Sequence, residues 1–120
     1  MYRYSCSLLL CLLTAILAFG QPPERDPARE AALHEELRAI APKVVDAFAA
    51  ATNELDAGNF AEADRLYGDV LAKAPDFDAA LRRRGYALVA LGKRKEGLDL
   101  TQKAYQSSAR WTTLSAEPRR

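Results

Sequence analysis

The sequence predicts an all-α protein built from antiparallel helix pairs, and three observations lead to that prediction. Apolar residues recur at spacings of three or four between residues 27 and 109, which is the period of one helix face. Gly58 and Gly92 each separate two apolar helical segments of similar length, so the same arrangement occurs twice. No stretch of alternating apolar and polar residues and no Asn-Gly hairpin signal occurs, so strands are not expected.

The first twenty residues have the three-part order of an export signal. Arg3 gives a short basic start, an uncharged and largely apolar run ends at Phe19, and small residues lead up to a cleavage point after Gly20. We therefore predict that residues 1–20 are a signal peptide and that the mature chain is periplasmic or secreted. The apolar run is shorter than the ~20 residues of a membrane-spanning helix, so no stable membrane anchor is expected after cleavage.

The composition of the mature chain excludes several kinds of site. Both cysteines, Cys6 and Cys11, lie in the predicted leader, which leaves no disulfide and no thiolate ligand. The single histidine, His34, is interpreted as a solvated side chain, because a metal site normally needs three or four protein ligands. No glycine-rich phosphate loop or catalytic triad occurs, so we expect no enzyme activity, no metal and no cofactor.

Caps and breakers set the limits of the first two predicted helices. Asp26 is an oxygen-bearing cap followed by a proline, which fits a first helical turn because its missing N–H is not needed there. Pro42 cannot continue that helix, so the apolar stripe divides into helices over residues 27–40 and 43–57. Gly58 ends the second helix, where a left-handed cap costs glycine little.

The last three predicted helices follow from the same kinds of signal. Asn59 is expected to cap the third helix, with Glu62 reaching back to complete a capping box. Pro75 ends the third helix, and the fourth and fifth are expected over residues 77–91 and 95–109. The residues assigned to the core of these helices are Ala63, Leu66, Tyr67, Val70, Leu71, Ala80, Leu81, Tyr86, Ala87, Leu88, Leu91, Leu98, Leu100, Thr101, Ala104 and Tyr105.

The segments around the two glycines resemble the tetratricopeptide repeat family. That family has a period of about 34 residues, which is also the spacing from Gly58 to Gly92. The resemblance rests on Gly58-Asn59-Phe60-Ala61-Glu62-Ala63, Leu66-Tyr67, Val70-Leu71, Ala74-Pro75, Leu81, Arg84-Gly85, Leu88 and Leu91-Gly92. It implies an α-solenoid of about two repeats, over residues 43–76 and 77–109, preceded by one N-terminal helix. Ala63 and Gly85 are the small residues that allow two paired helices to approach closely.

Two positions depart from the family's pattern. Arg94 stands where an aromatic residue is preferred and Gly97 where alanine is preferred, so the fifth helix is expected to be degenerate. The predicted organisation is a polar linker over residues 21–26, a helical domain over 27–109 and a disordered tail over 110–120. Arrays of this kind usually need about three repeats. The N-terminal helix, self-association or a longer array would each meet that need.

The resemblance also implies a binding groove lined by the first helix of each pair. Phe48 offers apolar area there, and an arginine can grip a carboxylate with two parallel hydrogen bonds. The predicted groove residues are Val45, Phe48, Thr52, Asp56, Arg82, Arg83, Tyr86 and Val89. The family's carboxylate-binding groove uses lysine and asparagine at several of these places, so that ligand preference is not carried over. We therefore expect an exported, non-catalytic scaffold that binds a protein or peptide partner, with anionic partners among the candidates.

Charge is distributed unevenly along a chain whose formal net charge is only +1. Residues 21–78 carry 6 basic and 13 acidic side chains, whereas residues 79–120 carry 10 basic and 3 acidic ones. A subunit that self-assembles through these two halves is therefore a second hypothesis. An accessory domain of a secreted or periplasmic enzyme complex is a third. Nucleic acid is not an expected partner, because the mature domain lacks the excess of positive charge that such binding requires.

Overall fold

A computed structural model describes residues 24–116, which form five α-helices and contain no strand. The elements are α1 (Pro27–Ile40), a 3-10 turn (Pro42–Val44), α2 (Val45–Asp56), α3 (Phe60–Lys73), α4 (Asp78–Ala90) and α5 (Arg94–Ala116). Helices α2 and α3 form one pair, α4 and α5 form another, and α3 packs on α4 between them. The predicted all-α class of adjacent helix pairs is confirmed, and the arrangement is compatible with a helical repeat. The predicted signal peptide, residues 1–20, lies outside the described residues.

Local signals in the sequence fix several helix ends. The carboxylate of Asp26 accepts a hydrogen bond from the Ala28 N–H at 3.0 Å and so caps α1. Gly58 and Gly92 follow α2 and α4 with φ angles of 80° and 86°, a left-handed conformation that favours glycine. Because the two turns share this geometry and lie one repeat period apart, one helix–turn–helix connection is used twice.

The predicted capping box at the start of α3 is wrong. The Asn59 side-chain amide donates to a carboxylate oxygen of Glu54 at 2.7 Å and makes no capping bond. Glu62 accepts two hydrogen bonds from Arg65, one turn further along the same helix. In both cases a charge-assisted bond replaces a bond between a side chain and a neutral backbone group, because the charged partner makes the stronger bond.

Helix α5 is longer than predicted. It continues to Ala116, so the predicted end at residue 109 and the disordered tail are wrong for residues 110–116. No glycine or proline occurs in that segment to end the helix, and Pro118 is the first residue that cannot continue one. Residues 117–120 of the predicted tail lie outside the described part of the chain.

The hydrophobic core joins all five helices of the described chain, with Ala104 as the contribution of α5. Its largest fully buried side chains are Tyr67, Phe48, Leu37, Leu81 and Val70. The Phe48 ring of α2 contacts Tyr67 and Phe77 edge to face, with centroid distances of 5.9 and 5.3 Å. A single aromatic side chain therefore links the first helix pair to the start of the second.

Five residues assigned to the core are instead on the surface. They are Tyr86, Leu91, Leu98, Thr101 and Tyr105, all of which are exposed. They belong to α4, its end, and α5, the last helix of the described chain. Helical spacing identifies an apolar side of a helix, but burial of that side depends on whether another element covers it.

Helices α4 and α5 meet at a pair of glycines. A Cβ atom on Gly85 would lie 2.7 Å from the Gly97 carbonyl oxygen, and one on Gly97 would lie 2.5 Å from the Gly85 carbonyl oxygen. Real Cβ atoms do not approach backbone this closely, so both positions need glycine. The expectation for Gly85 is confirmed, whereas Gly97 is a required contact of the pair and not a degenerate position.

Candidate functional site

The predicted groove of α2 and α4 is covered by α1. Just before α1, the Arg25 guanidinium is bonded to both carboxylate oxygens of Asp56 at the end of α2, at 2.6–2.9 Å. The other end of α1 joins the start of α2 through the 3-10 turn, so the two helices run antiparallel. Asp56, a predicted groove residue, is therefore already paired within the chain. Its partner Arg25 lies in the predicted linker, residues 21–26.

An ion pair between α1 and α4 occupies the centre of this groove. The Arg83 guanidinium donates hydrogen bonds to both carboxylate oxygens of Glu30, one of them at 3.0 Å. The two side chains are only 13% and 19% exposed. The guanidinium also lies over the Phe48 ring, 5.1 Å from its centroid. The two-bond grip that was predicted for a partner's carboxylate is thus made with a carboxylate of the chain itself.

Thr52 connects this ion pair to the core. Its hydroxyl accepts from Arg83 at 2.9 Å, donates to the Phe48 carbonyl oxygen at 3.0 Å and lies 3.0 Å from the Tyr67 hydroxyl. Because a hydroxyl has a single hydrogen to donate, Tyr67 is the donor in its bond to Thr52. Burial raises the pKa of Tyr67, which keeps that hydrogen in place at neutral pH.

The protonation of Glu30 controls the ion pair. The hydrogen bond from Arg83 lowers the pKa of Glu30, with a smaller contribution from the positive charges of Arg83 and Arg25, while burial acts in the opposite direction. Glu30 is therefore ionised at neutral pH, and the ion pair is lost only when the pH falls through this lowered pKa.

The contribution of α1 was not predicted from the sequence. His34, expected to be solvated, is half-buried, and its ring meets Phe48 edge to face at 5.7 Å. Glu30, His34 and Leu37 follow one another at spacings of four and three, which places them on one side of α1. That spacing could have predicted that the three residues share one side of α1. It does not do so when only apolar residues are counted as the buried side of a helix, because Glu30 and His34 are polar.

The eight predicted groove residues do not form one continuous site. Phe48, Thr52 and Arg83 are connected under α1, and Val45 is buried in the same core cluster as Leu37. Asp56 is paired with Arg25, and the other three residues lie outside the cover of α1 and are all exposed. Arg82 is paired with Asp78 at 2.8 Å. The Tyr86 ring lies edge to face with Phe60 at a centroid distance of 6.1 Å, and Val89 lies beside Gly97.

A separate open cleft of about 510 Å³ lies between the end of α1, the turn from α3 to α4, and α5. Its lining includes Ile40, three carboxylates and one lysine. The carboxylates belong to Glu36, Asp76 and Asp78, and the lysine is Lys73. Within residues 24–116, no group of three or more His, Cys, Asp or Glu side chains is placed to hold a metal ion.

Comparison with known proteins gives no relative for this chain. No family model matches it, and neither a curated protein nor a solved structure matches it significantly. None of the helices in residues 24–116 is both long enough and apolar enough to span a bilayer. The function of the site is therefore inferred from its own geometry.

Proposed function

We propose that this chain is an exported, non-catalytic helical-repeat module, resembling tetratricopeptide proteins, that binds a helix of a partner protein in the groove covered by α1. The observation that carries the proposal is the Glu30–Arg83 ion pair beside Phe48. It is the contact that a groove of this kind would make to a bound helix, and here α1 supplies it. In this proposal α1 is a resident occupant that a partner displaces.

The contacts of α1 define the chemistry of the partner. Arg83 requires a carboxylate at the position of Glu30. Four residues after this carboxylate, the partner helix would need a flat ring that takes the place of His34 and contacts the Phe48 ring edge to face. Seven residues after the carboxylate, the partner helix would need an aliphatic side chain in the place of Leu37, because Leu37 is fully buried in the core. The expected partner is thus an amphipathic helix with a carboxylate beside its apolar side.

Helix α1 is held less firmly than the helices beneath it. Leu37 is its single buried residue, whereas α2 buries Val45, Phe48, Ala51, Thr52 and Leu55. A short connection at Ala41 and the 3-10 turn joins it to α2, so it can leave without breaking the packing of α2 to α5. Elements with few buried apolar contacts open at the lowest cost in free energy.

A labelled peptide of residues 24–41, titrated into the mature chain by fluorescence anisotropy, tests this proposal. Glu30→Gln in the protein weakens the resident helix, so the unchanged peptide should bind more tightly than it binds the wild type. Arg83→Gln removes the same grip from the resident helix and from the peptide, so the two losses offset each other and binding should stay near that of the wild type. Arg82→Gln is the matched control, because Arg82 is exposed and pairs with Asp78 on its own helix.

Tighter binding to Glu30→Gln, with little change for Arg83→Gln, is the signature of displacement. If Glu30→Gln weakens binding or leaves it unchanged, the pair is purely structural and the proposal fails. Pull-down from the exporting compartment then identifies the natural partner, including any enzyme complex to which the chain is an accessory domain. Export itself predicts a mature protein that begins at Gln21, which mass spectrometry of the exported chain measures.

A further inference from the structure

The second helix pair leaves open a face that the first pair buries. Leu55 and Leu71 of the first pair are 7% and 9% exposed, but Val89 and Tyr105, which follow them by one repeat period, are 43% and 76% exposed. The first pair is covered because α3 packs on α4. In the described chain α5 is the last helix, and no third pair follows to cover the corresponding face.

The exposed side chains of the second pair form one surface, which we call the open face: Val89, Leu98 and Tyr105. Val89 lies within contact distance of Gly97 and so adjoins Leu98. Tyr105 lies seven residues after Leu98, two turns along the same side of α5. Repeat arrays remain soluble when their terminal unit has a polar outer surface. An exposed apolar face of this kind is typical of a surface that another protein chain covers.

Two cations lie at one end of the open face. Arg94 and Lys95 lie one turn before Leu98 on the same side of α5, and neither forms an ion pair within residues 24–116. Two open faces brought together would place these like charges against each other, which disfavours a symmetric contact. A cover with carboxylates is favoured instead.

The chain itself carries a surface of that kind on the outer side of α1. This side faces away from Glu30 and Leu37, and its residues are exposed. Its alanines let another helix approach closely. Glu35 is bonded to Arg38 of the same helix, whereas Glu36, which also lines the cleft, can face the cations of the open face. The residues of this outer surface are Ala28, Ala32, Glu35, Glu36 and Ala39.

We propose that a second copy of the chain covers the open face with the outer surface of its α1. The two surfaces are different, so each added copy presents a new open face and association continues head to tail. Each contact also places a helix against the open face, as α4 is placed against the first pair. The inference does not rest on the proposed peptide groove, which faces the other side of α1.

Sedimentation velocity of the mature chain tests the proposal directly. The average mass should rise continuously with protein concentration and fall when the salt concentration is raised, since the contact is partly electrostatic. Two double variants block one surface each: Leu98→Glu with Tyr105→Glu, and Ala32→Lys with Glu36→Lys. All four positions are exposed, so both variants should keep the helical circular dichroism and melting temperature of the wild type.

Each blocked variant alone should be monomeric, and an equimolar mixture should give a one-to-one dimer and nothing larger. A charge exchange tests the same contact with the apolar residues intact. Lys95→Glu should reduce association, and adding Glu36→Lys to the same chain should restore it. A wild type that is monomeric at every concentration, a closed symmetric dimer, a mixture that stays monomeric, or no recovery in the charge exchange would each overturn the proposal.

Discussion

The two helix pairs share one turn geometry but are held together by different chemistry. In the first pair, the Phe48 ring and the Thr52 hydroxyl contact the Tyr67 side chain across the pair. In the second pair, Gly85 and Gly97 bring the two backbones into contact. The difference shows that a repeated backbone path does not require a repeated core, since side-chain packing and close backbone approach both hold helices together.

The pairs also differ in how many neighbours they have. The first pair lies between α1 and α4, and it buries residues on both of these sides. The second pair contacts α1, α2 and α3 on one side, and within the described chain no helix covers its other side. Equivalent positions such as Phe48 and Arg82 are therefore buried in one pair and exposed in the other. Position within the array, as much as residue type, decides burial.

The largest predicted effect concerns the equivalent positions Phe48 and Arg82. Phe48→Ala removes a fully buried ring that contacts three other rings, and should lower the free energy of unfolding by about 3–5 kcal/mol. Arg82→Ala should change it by less than about 0.5 kcal/mol, because Arg82 is an exposed helix residue. Urea unfolding of both variants measures the contrast. Similar losses would mean that the Arg82 side chain is buried in solution.

The glycine contact predicts the next largest effect. Gly85→Leu should destabilise the fold by about 1–3 kcal/mol, because its side chain would collide with the backbone of α5. Gly68→Ala is the control inside α3, where a Cβ would meet only the Arg84 guanidinium at 3.5 Å. That change should be neutral or stabilise by up to about 1 kcal/mol. Equal melting temperatures for Gly85→Leu and wild type would contradict the close helix contact.

The two turns should respond identically to substitution. No atom lies within 4 Å of the position that a Cβ on Gly58 or Gly92 would occupy, so the cost of alanine is the cost of a left-handed backbone. That cost is about 1–2 kcal/mol at each site. Thermal unfolding of the two single variants should therefore give nearly equal losses. A clear difference would show that the two connections are not equivalent.

The smallest predicted effect is the pH dependence of the stability that the Glu30–Arg83 ion pair contributes between α1 and α4. Because Arg83 lowers the pKa of Glu30 in the folded chain, the ion pair contributes stability above the unfolded pKa of about 4.5. This contribution is lost as the pH falls from about 5 through the lowered pKa. The stability difference between wild type and Glu30→Gln, from urea unfolding at several pH values, should shrink over that window. A difference that is constant with pH would exclude an ionised Glu30 as the cause.

The sequence predicts those features of the fold that depend on local signals. Asp26, Gly58 and Gly92 act within one turn of their own positions, so the helix ends they set could be predicted. The Glu30–Arg83 pair could not, because it joins residues 53 positions apart on helices that approach only after folding. The exposure of Leu98 and Tyr105 could not be predicted either, because it depends on the absence of a neighbouring helix in the described chain and not on the residues themselves.

The proposal that α1 is a displaceable occupant of the groove can be tested with a spin-label distance. Residues 21–120 contain no cysteine, so in a protein of these residues labels can be placed uniquely at the exposed positions Ala31→Cys and Ala72→Cys, on α1 and α3. Excess peptide of residues 24–41 should lengthen and broaden this distance. A control pair at Ala72→Cys and Ala90→Cys, on α3 and α4, should not change. An unchanged α1–α3 distance at saturating peptide would contradict the claim.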